Sequence, residues 1–213
     1  MKLLILFLIC AQVSIAQIKA TNTIKTKNYT AYINKEIKMP VYVKYVLYKG
    51  GGPCKRPTNW FNDSKYPMTS DAQYLKSGYD KGHLVNAEDF AFDCKLDELT
   101  FAEYNRLPQT PKLNRGIWKS YESIIRQISQ RDSILILCGG YWNPKKKKIV
   151  NGMEIPSDCW KVVWNLSKGK LVGAFIFTND KVAKDTPIGV DQLESKLGYS
   201  LNLTKPAKVK GVK

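Results

Sequence analysis

Residues 133–138, SILILC, run apolar without a polar break and stop at Gly139-Gly140. A short run of that kind reads as a strand buried inside the fold. A buried strand needs partners, and the chain offers them. Residues 40–48, PVYVKYVLY, are rich in β-branched and aromatic side chains and predict a second strand, ended by Gly50-Gly51-Gly52-Pro53. Residues 160–166 and 171–177 predict a hairpin turning around Ser167-Lys168-Gly169-Lys170. Residues 17–38 are weakly patterned and read as an N-terminal arm or a first edge strand. After Pro111 the period changes: Ile117, Tyr121, Ile124 and Ile128 recur at helical spacing and predict one apolar stripe. Thr186-Pro187 predicts the start of a last helix, and Gly198 its stop. Strands and helices without regular alternation indicate the α+β class.

The first 16 residues, MKLLILFLICAQVSIA, join a positive Lys2, an apolar run and a small-residue site at Ser14-Ile15-Ala16. That is the pattern of a signal peptide cleaved near Ala16. The apolar run falls short of the roughly 20 residues a membrane span needs. The expectation is a secreted or periplasmic protein without stable membrane association, with one domain over residues 17–204 and a disordered basic tail over 205–213. Cleavage removes Cys10 and leaves Cys54, Cys94, Cys138 and Cys159. An even number in an exported chain predicts two disulfides, with three connectivities open. Cys138 ends one expected strand and Cys159 precedes the next, so the expected pairs are Cys138–Cys159 and Cys54–Cys94. No Cys-x-x-Cys spacing occurs, and one histidine cannot complete a four-ligand zinc site, so a structural zinc is not expected.

Lysine and arginine number 34 against 18 aspartates and glutamates, a formal charge of +16. That excess favours polyanionic partners, nucleic acid among them. No stretch points to a protein partner. The chain holds a single histidine, in YDKGHLVNAEDF. An imidazole exchanges protons near neutral pH, and no apolar periodicity around His83 marks it as a core residue. Asp80, three residues before it, reads as a turn-orienting or capping side chain.

Asp80-Lys81-Gly82-His83 resembles the Asp-Arg-Gly-His signature of the DNA/RNA non-specific endonucleases of the ββα-metal fold, with lysine in place of arginine. The likeness continues in order along the chain. Thr100-Phe101 and Asn105-Arg106-Leu107-Pro108-Gln109 resemble the family's next segment, and Leu113-Asn114-Arg115-Gly116-Ile117-Trp118 with Glu122 resembles its metal-binding helix. Ile155-Pro156-Ser157 and Trp160-Lys161-Val162-Val163 resemble a later strand signature. The similar region runs from about Val41 to Asn202.

The resemblance implies a central antiparallel sheet flanked by helices, and an endonuclease that hydrolyses DNA and RNA phosphodiesters with little sequence preference. It implies Mg²⁺ as cofactor, with Mn²⁺ able to stand in. Phosphodiester hydrolysis needs an activated water and charge neutralisation at the phosphoryl and leaving oxygens. His83 is the expected general base. Asn114 is the expected direct metal ligand, with Asn105 and Glu122 acting on the metal through water. Lys81, Arg56 and Arg115 are the expected phosphate contacts. Helix geometry restricts Glu122: a rise of roughly 12 Å separates it from Asn114 in a continuous helix, too far for both to ligate one ion. A second reading, a catalytically silent secreted protein that binds nucleic acid or another polyanion, is weakened by the co-occurrence of His83, Asn105, Asn114 and Glu122, which binding alone does not need.

Overall fold

The structure is a computed structural model that describes residues 17–203. The expected signal segment with its Ala16 cleavage position, and the tail 205–213, lie outside the described residues. In chain order the strands are β1 (Asn22–Lys25), β2 (Tyr29–Asn34), β3 (Met39–Leu47), β4 (Asp80–His83), β5 (Arg106–Gln109), β6 (Ile134–Tyr141), β7 (Ile149–Val150), β8 (Met153–Glu154), β9 (Asp158–Asn165), β10 (Lys170–Thr178) and β11 (Asp185–Pro187). The α-helices are α1 (Asp71–Tyr74), α2 (Cys94–Leu99), α3 (Lys119–Ser129) and α4 (Val190–Leu197).

Seven strands form one antiparallel sheet in the order β1-β2-β3-β6-β9-β10-β11. The apolar run read from sequence is its centre, for β6 is buried at every position. Alternation divides its side chains between two cores. Ile134, Ile136 and Cys138 face the larger core with Val43, Trp118 and Val163. Leu135, Leu137 and Tyr141 face the other, with Trp160, Val162 and α4 residues Leu193 and Leu197. The β4–β5 hairpin stands apart from the main sheet, on the side of the larger core. The segment read as an arm or edge strand is a full hairpin, β1 with β2, with β1 at the sheet edge. Among the described residues no helix is long and apolar enough to cross a membrane.

Three sequence expectations need correction. Thr186-Pro187 does not open the last helix: both residues pair with β10 in the edge strand β11, and α4 begins three residues later behind Gly189. Proline is tolerated on a sheet edge, where an N–H is dispensable. Gly198 does end α4, with φ of 72°. On α3, Ile124 is exposed and Ile125 is buried. Upstream of α3, Leu113–Trp118 is a widened, kinked turn with Gly116 outside helical geometry. Ile117, Tyr121 and Ile128 do pack on the larger core, and Ile125, four residues after Tyr121, takes the place expected of Ile124.

The third correction concerns the cysteines. Cys54 and Cys94 are joined, whereas Cys138 and Cys159 are buried free thiols. Neighbouring strands do carry the latter two, but the register sets Cys138 opposite Lys161 and Cys159 opposite Gly140. They are therefore diagonal neighbours, and diagonal Cα separations of roughly 7–8 Å exceed what a disulfide spans. Each thiol has another partner: Cys138 Sγ donates to the Leu84 carbonyl at 3.1 Å, and Cys159 Sγ accepts from Gln109 at 3.5 Å. The existing bridge closes a separation of 40 residues, a constraint worth about 4 kcal/mol in the chain-entropy model. Alkylation of unreduced, unfolded protein should label Cys138 and Cys159 and leave Cys54 and Cys94 unlabelled. Recovery of a Cys138–Cys159 peptide under non-reducing conditions would refute this register.

Candidate active site

The β4–β5 hairpin presents His83 at the end of β4, opposite Arg106. Gly82 is required there, because a Cβ would fall 2.1 Å from Oε1 of the buried Gln109. Beyond His83 the chain is clamped by Asn105. The Asn105 Oδ1 accepts from Val85 N at 2.8 Å, and its Nδ2 donates to the Val85 and Thr100 carbonyls at 3.0 and 2.7 Å. Asn105 is fully buried, so its amide is spent on backbone and does not reach a metal-bound water. The sequence expectation for this residue is corrected: it orders the strand end that carries His83.

The imidazole sits in an aromatic box. The Trp60 ring lies 4.4 Å from it and the Phe101 ring 4.7 Å, edge-on. Trp118 Nε1 donates to the His83 carbonyl at 3.2 Å, tying the hairpin to the start of α3. Arg56 Nη2 donates to His83 Nδ1 at 3.3 Å. Arginine can only donate, so Nδ1 holds the lone pair and the neutral ring carries its proton on the buried Nε2. Burial, with the Arg56 and Arg106 charges, pushes the imidazole pKa well below its ordinary 6.5. The ring is therefore an uncharged base at neutral pH.

Nδ1 faces a cavity of about 610 Å³. Asn114 and Arg115 form another wall, and both are held by Asp80. Asn114 Nδ2 donates to Asp80 Oδ2 at 2.9 Å, while Arg115 grips the same carboxylate with bonds of 2.8 and 2.6 Å. Burial works against the Asp80 charge, but the hydrogen bonds from Arg115 and Asn114 hold its carboxyl below the ordinary range. With its nitrogen committed, Asn114 keeps Oδ1 as a free acceptor. Glu122 lies on the cavity wall and is buried; burial pushes its carboxyl up to about 7 against the opposing charge of Lys161.

Of the expected site residues, His83, Arg56, Asn114, Arg115 and Glu122 meet in this cavity. Asn105 does not, and neither does Lys81, whose ammonium pairs with Asp71 at 2.7 Å. The cavity also includes residues that the sequence reading passed over: Asn86 and Glu88 after the hairpin, and Lys119, Ser123 and Arg126 on α3. The α3 group was legible, for 119, 122, 123 and 126 fall at the i, i+3, i+4, i+7 spacing of one helix face. Asp80 was read as a turn residue and is instead the anchor of the opposite wall.

Among the described residues no three His, Cys, Asp or Glu side chains cluster as a metal cage. One free amide oxygen with a nearby carboxylate is the donor set of a hard cation that keeps most of its water. The residues present therefore fit a hydrated Mg²⁺ at Asn114, with Glu122 on the same cavity.

Because His83 is the sole histidine, its NMR titration is a clean probe. Its ring should stay neutral to well below pH 6.5. The unfolded chain binds that proton near 6.5, so stability present above 6.5 is lost as pH falls below it, by at most about 1.4 kcal/mol per pH unit. His83→Gln should remove this slope in denaturant titrations at stepped pH. A native His83 that titrates at 6.5 or above contradicts the buried, Arg56-facing geometry.

The comparisons with known proteins agree with this architecture. The chain is 26% identical over 166 residues to a nuclease of Nostoc sp., a match covering 70% of this chain and 61% of the relative. It is 27% identical to the mitochondrial nuclease EXOG of Xenopus laevis over 61% of this chain and 39% of the relative. With mitochondrial endonuclease G of Homo sapiens it shares 32% identity over 35% of this chain and 25% of that protein. The chain thus spans less than two thirds of these relatives. A chain in the crystal structure of the EndoG/EndoGI complex superimposes with a TM-score of 0.69 over 83% of both chains at 20% identity, a likeness of fold. The family profile of the DNA/RNA non-specific endonucleases matches residues 11–208, and the chain belongs to that family.

Proposed function

We propose that the protein is an exported, Mg²⁺-dependent endonuclease that hydrolyses DNA and RNA phosphodiesters with little sequence preference. The observation that carries the reading is the meeting of a neutral His83 Nδ1 lone pair and a free Asn114 Oδ1 on one cationic cavity. The names of the relatives, nuclease and endonuclease G, support the same chemistry. The accessible Cys54–Cys94 bridge and the N-terminal pattern support export.

In this reading a phosphodiester enters the cavity and draws the Arg56 guanidinium from His83 to a phosphoryl oxygen. A water then occupies the vacated position, and Nδ1 takes its proton as it attacks phosphorus. Asn114 would hold a hydrated Mg²⁺, which when bound would supply charge neutralisation to the phosphoryl and leaving oxygens. Glu122 would hold that ion's water, and Asp80 keeps the Asn114 side chain in place. The depressed basicity of His83 lets it shed the proton again after each turnover. The contacts available are cationic, suited to backbone phosphate and indifferent to base identity.

Purified protein with supercoiled plasmid or RNA should degrade both in Mg²⁺ and neither in EDTA. His83→Ala should lower cleavage by roughly 10²- to 10⁴-fold at unchanged DNA binding; near-wild-type turnover rules out His83 as the base, and binding without cleavage by the wild type would favour the silent polyanion-binding reading.

Metal dependence separates the roles. Asn114→Ala should raise the Mg²⁺ concentration for half-maximal activity most. Asp80→Ala, which frees the Asn114 amide, should raise it by roughly 10- to 100-fold, the usual cost of losing an outer partner of a ligand. Glu122→Gln should act more mildly than Asn114→Ala. A larger effect from Glu122 would make it the direct ligand.

A further inference from the structure

Between β3 and α1 the chain forms a strap without α-helix or sheet strand that passes over His83. It is fastened at two places. On one side Gly51 N donates to the Glu88 carbonyl at 2.9 Å, Cys54 N donates to the Ala91 carbonyl at 3.1 Å, and Cys54 is bonded to Cys94. On the other, Phe61 bridges Ala102, with hydrogen bonds to Phe101 and Glu103 of 3.0 and 3.1 Å. Arg56 lies in the short span between these fastenings, two residues from the disulfide. Its guanidinium touches His83 Nδ1 and lies 5.3 Å from the Phe101 ring centre. Among the described residues it pairs with no carboxylate. Its place over the imidazole is therefore set by the strap and not by an ion pair. The bridge that fixes the nearer end is open to solvent, since Cys94 is exposed and Cys54 half-buried.

We propose that the Cys54–Cys94 disulfide is a redox switch acting through Arg56. When the bridge is reduced, the near fastening of the strap is weakened, Arg56 is no longer held at the cavity wall where it can pass from His83 to a phosphoryl oxygen, and cleavage falls while the sheet stays folded. The seven-stranded sheet and both of its cores lie outside the 54–61 span, which is why the fold should survive. The reductant class is a dithiol. One of its thiolates attacks the exposed Cys94 sulfur, expelling the Cys54 thiolate, which takes a proton. Its second thiolate closes on the mixed disulfide and expels Cys94. The protein ends with two thiols and the dithiol with one intramolecular disulfide. Cys138 and Cys159 are already thiols, so no other bridge among the described residues responds.

The activity arm rests on the proposed nuclease reading; the proteolysis arm does not. With dithiothreitol and Mg²⁺, kcat/KM on plasmid DNA should fall roughly 10- to 100-fold, the effect of losing one charge-assisted hydrogen bond. Arg56→Ala should show the same loss without reductant, and reduction should lower that variant by less than about twofold further. In parallel, trypsin cutting after the exposed Lys55 should accelerate on reduction, read by mass spectrometry, while sites in the sheet remain closed. Unchanged cleavage on reduction overturns the proposal. So does an equal further loss in Arg56→Ala, which would place the bridge's effect elsewhere. Opening of tryptic sites throughout the chain together would make the bridge a staple of the whole fold and overturn the switch. If the oxidised wild type cleaves neither DNA nor RNA, the nuclease reading has failed, and selective cutting at Lys55 alone decides whether reduction frees the strap.

Discussion

A sheet whose central strand is buried at every position must be covered on both faces, and that requirement organises the molecule. One cover is economical: α4 lays Leu193 and Leu197 on Leu135, Leu137 and Trp160. The other is assembled from irregular pieces, the β4–β5 hairpin, the wide turn at 113–118 and α3, which share Trp118 as a fully buried joint. Trp118 packs into the core, contacts Phe177 edge-on at 5.3 Å, and donates to the His83 carbonyl. The candidate active site is thus the outer surface of a core layer. Its precision is inherited from packing beneath it, and substitutions at Trp118 disturb fold and site together.

Electrostatics inside this layer run against the net charge of the chain. Beneath the cavity lie the buried Asp89 and the fully buried Lys161, with the buried Glu122 beside them on the cavity wall. Asp89 is matched by Arg126 at 2.9 Å and by the Tyr45 hydroxyl at 3.0 Å. Lys161 Nζ has no hydrogen-bond partner and lies 4.0 Å from the Trp118 ring centre. A buried cation without a partner would be costly; here the indole face and the two nearby carboxylates offset its burial. The outcome is a floor whose charges offset one another, beneath walls where four cations outnumber Glu88 and Glu122. That contrast suits a site that takes a phosphate from solvent without drawing it into the core.

Much of the fold was legible because hydrophobic period and turn residues speak directly to it: SILILC, the 160–177 hairpin and the Gly198 stop all appear where the sequence places them. The failures share a physical cause, namely information that is not local. The Cys138–Cys159 expectation failed on strand register, since β6 and β9 set the two sulfurs on a diagonal. Ile124 failed because helical spacing between Tyr121 and Ile128 admits either 124 or 125, and the packing of α3 on the core selects Ile125. Thr186-Pro187 carried a sound helix-start pattern, but pairing with Phe175 and Ile176 claimed both residues for the sheet. In the site, residue types pointed to His83 and Asn114, which the fold brings to one cavity, whereas Asp80 became significant only when folding brought it to residues 34 and 35 positions away. Asn105 misled for the same reason: an amide suits both a metal's water and a backbone clamp, and only burial distinguishes them.

The lysine at position 81 has a consequence for where phosphate can be held. An arginine offers a planar fork, while lysine is a point charge readily satisfied by one carboxylate, and Asp71 satisfies it at 2.7 Å. Asp71 is itself shared with the fully buried Arg106, which also bonds Glu103 at 2.8 Å. Lys81 is therefore part of an ion network behind the hairpin and away from the cavity. The cations on the cavity wall are Arg56, Arg115, Lys119 and Arg126. Arg115 is engaged by Asp80 and Arg126 by Asp89. That leaves Arg56 and Lys119, among the described residues, as the wall cations not bound to a carboxylate. A phosphodiester entering the cavity can recruit these two without breaking an ion pair. One of them, Arg56, already rests on His83 Nδ1, so in the proposed mechanism binding of phosphate and exposure of the base become a single movement.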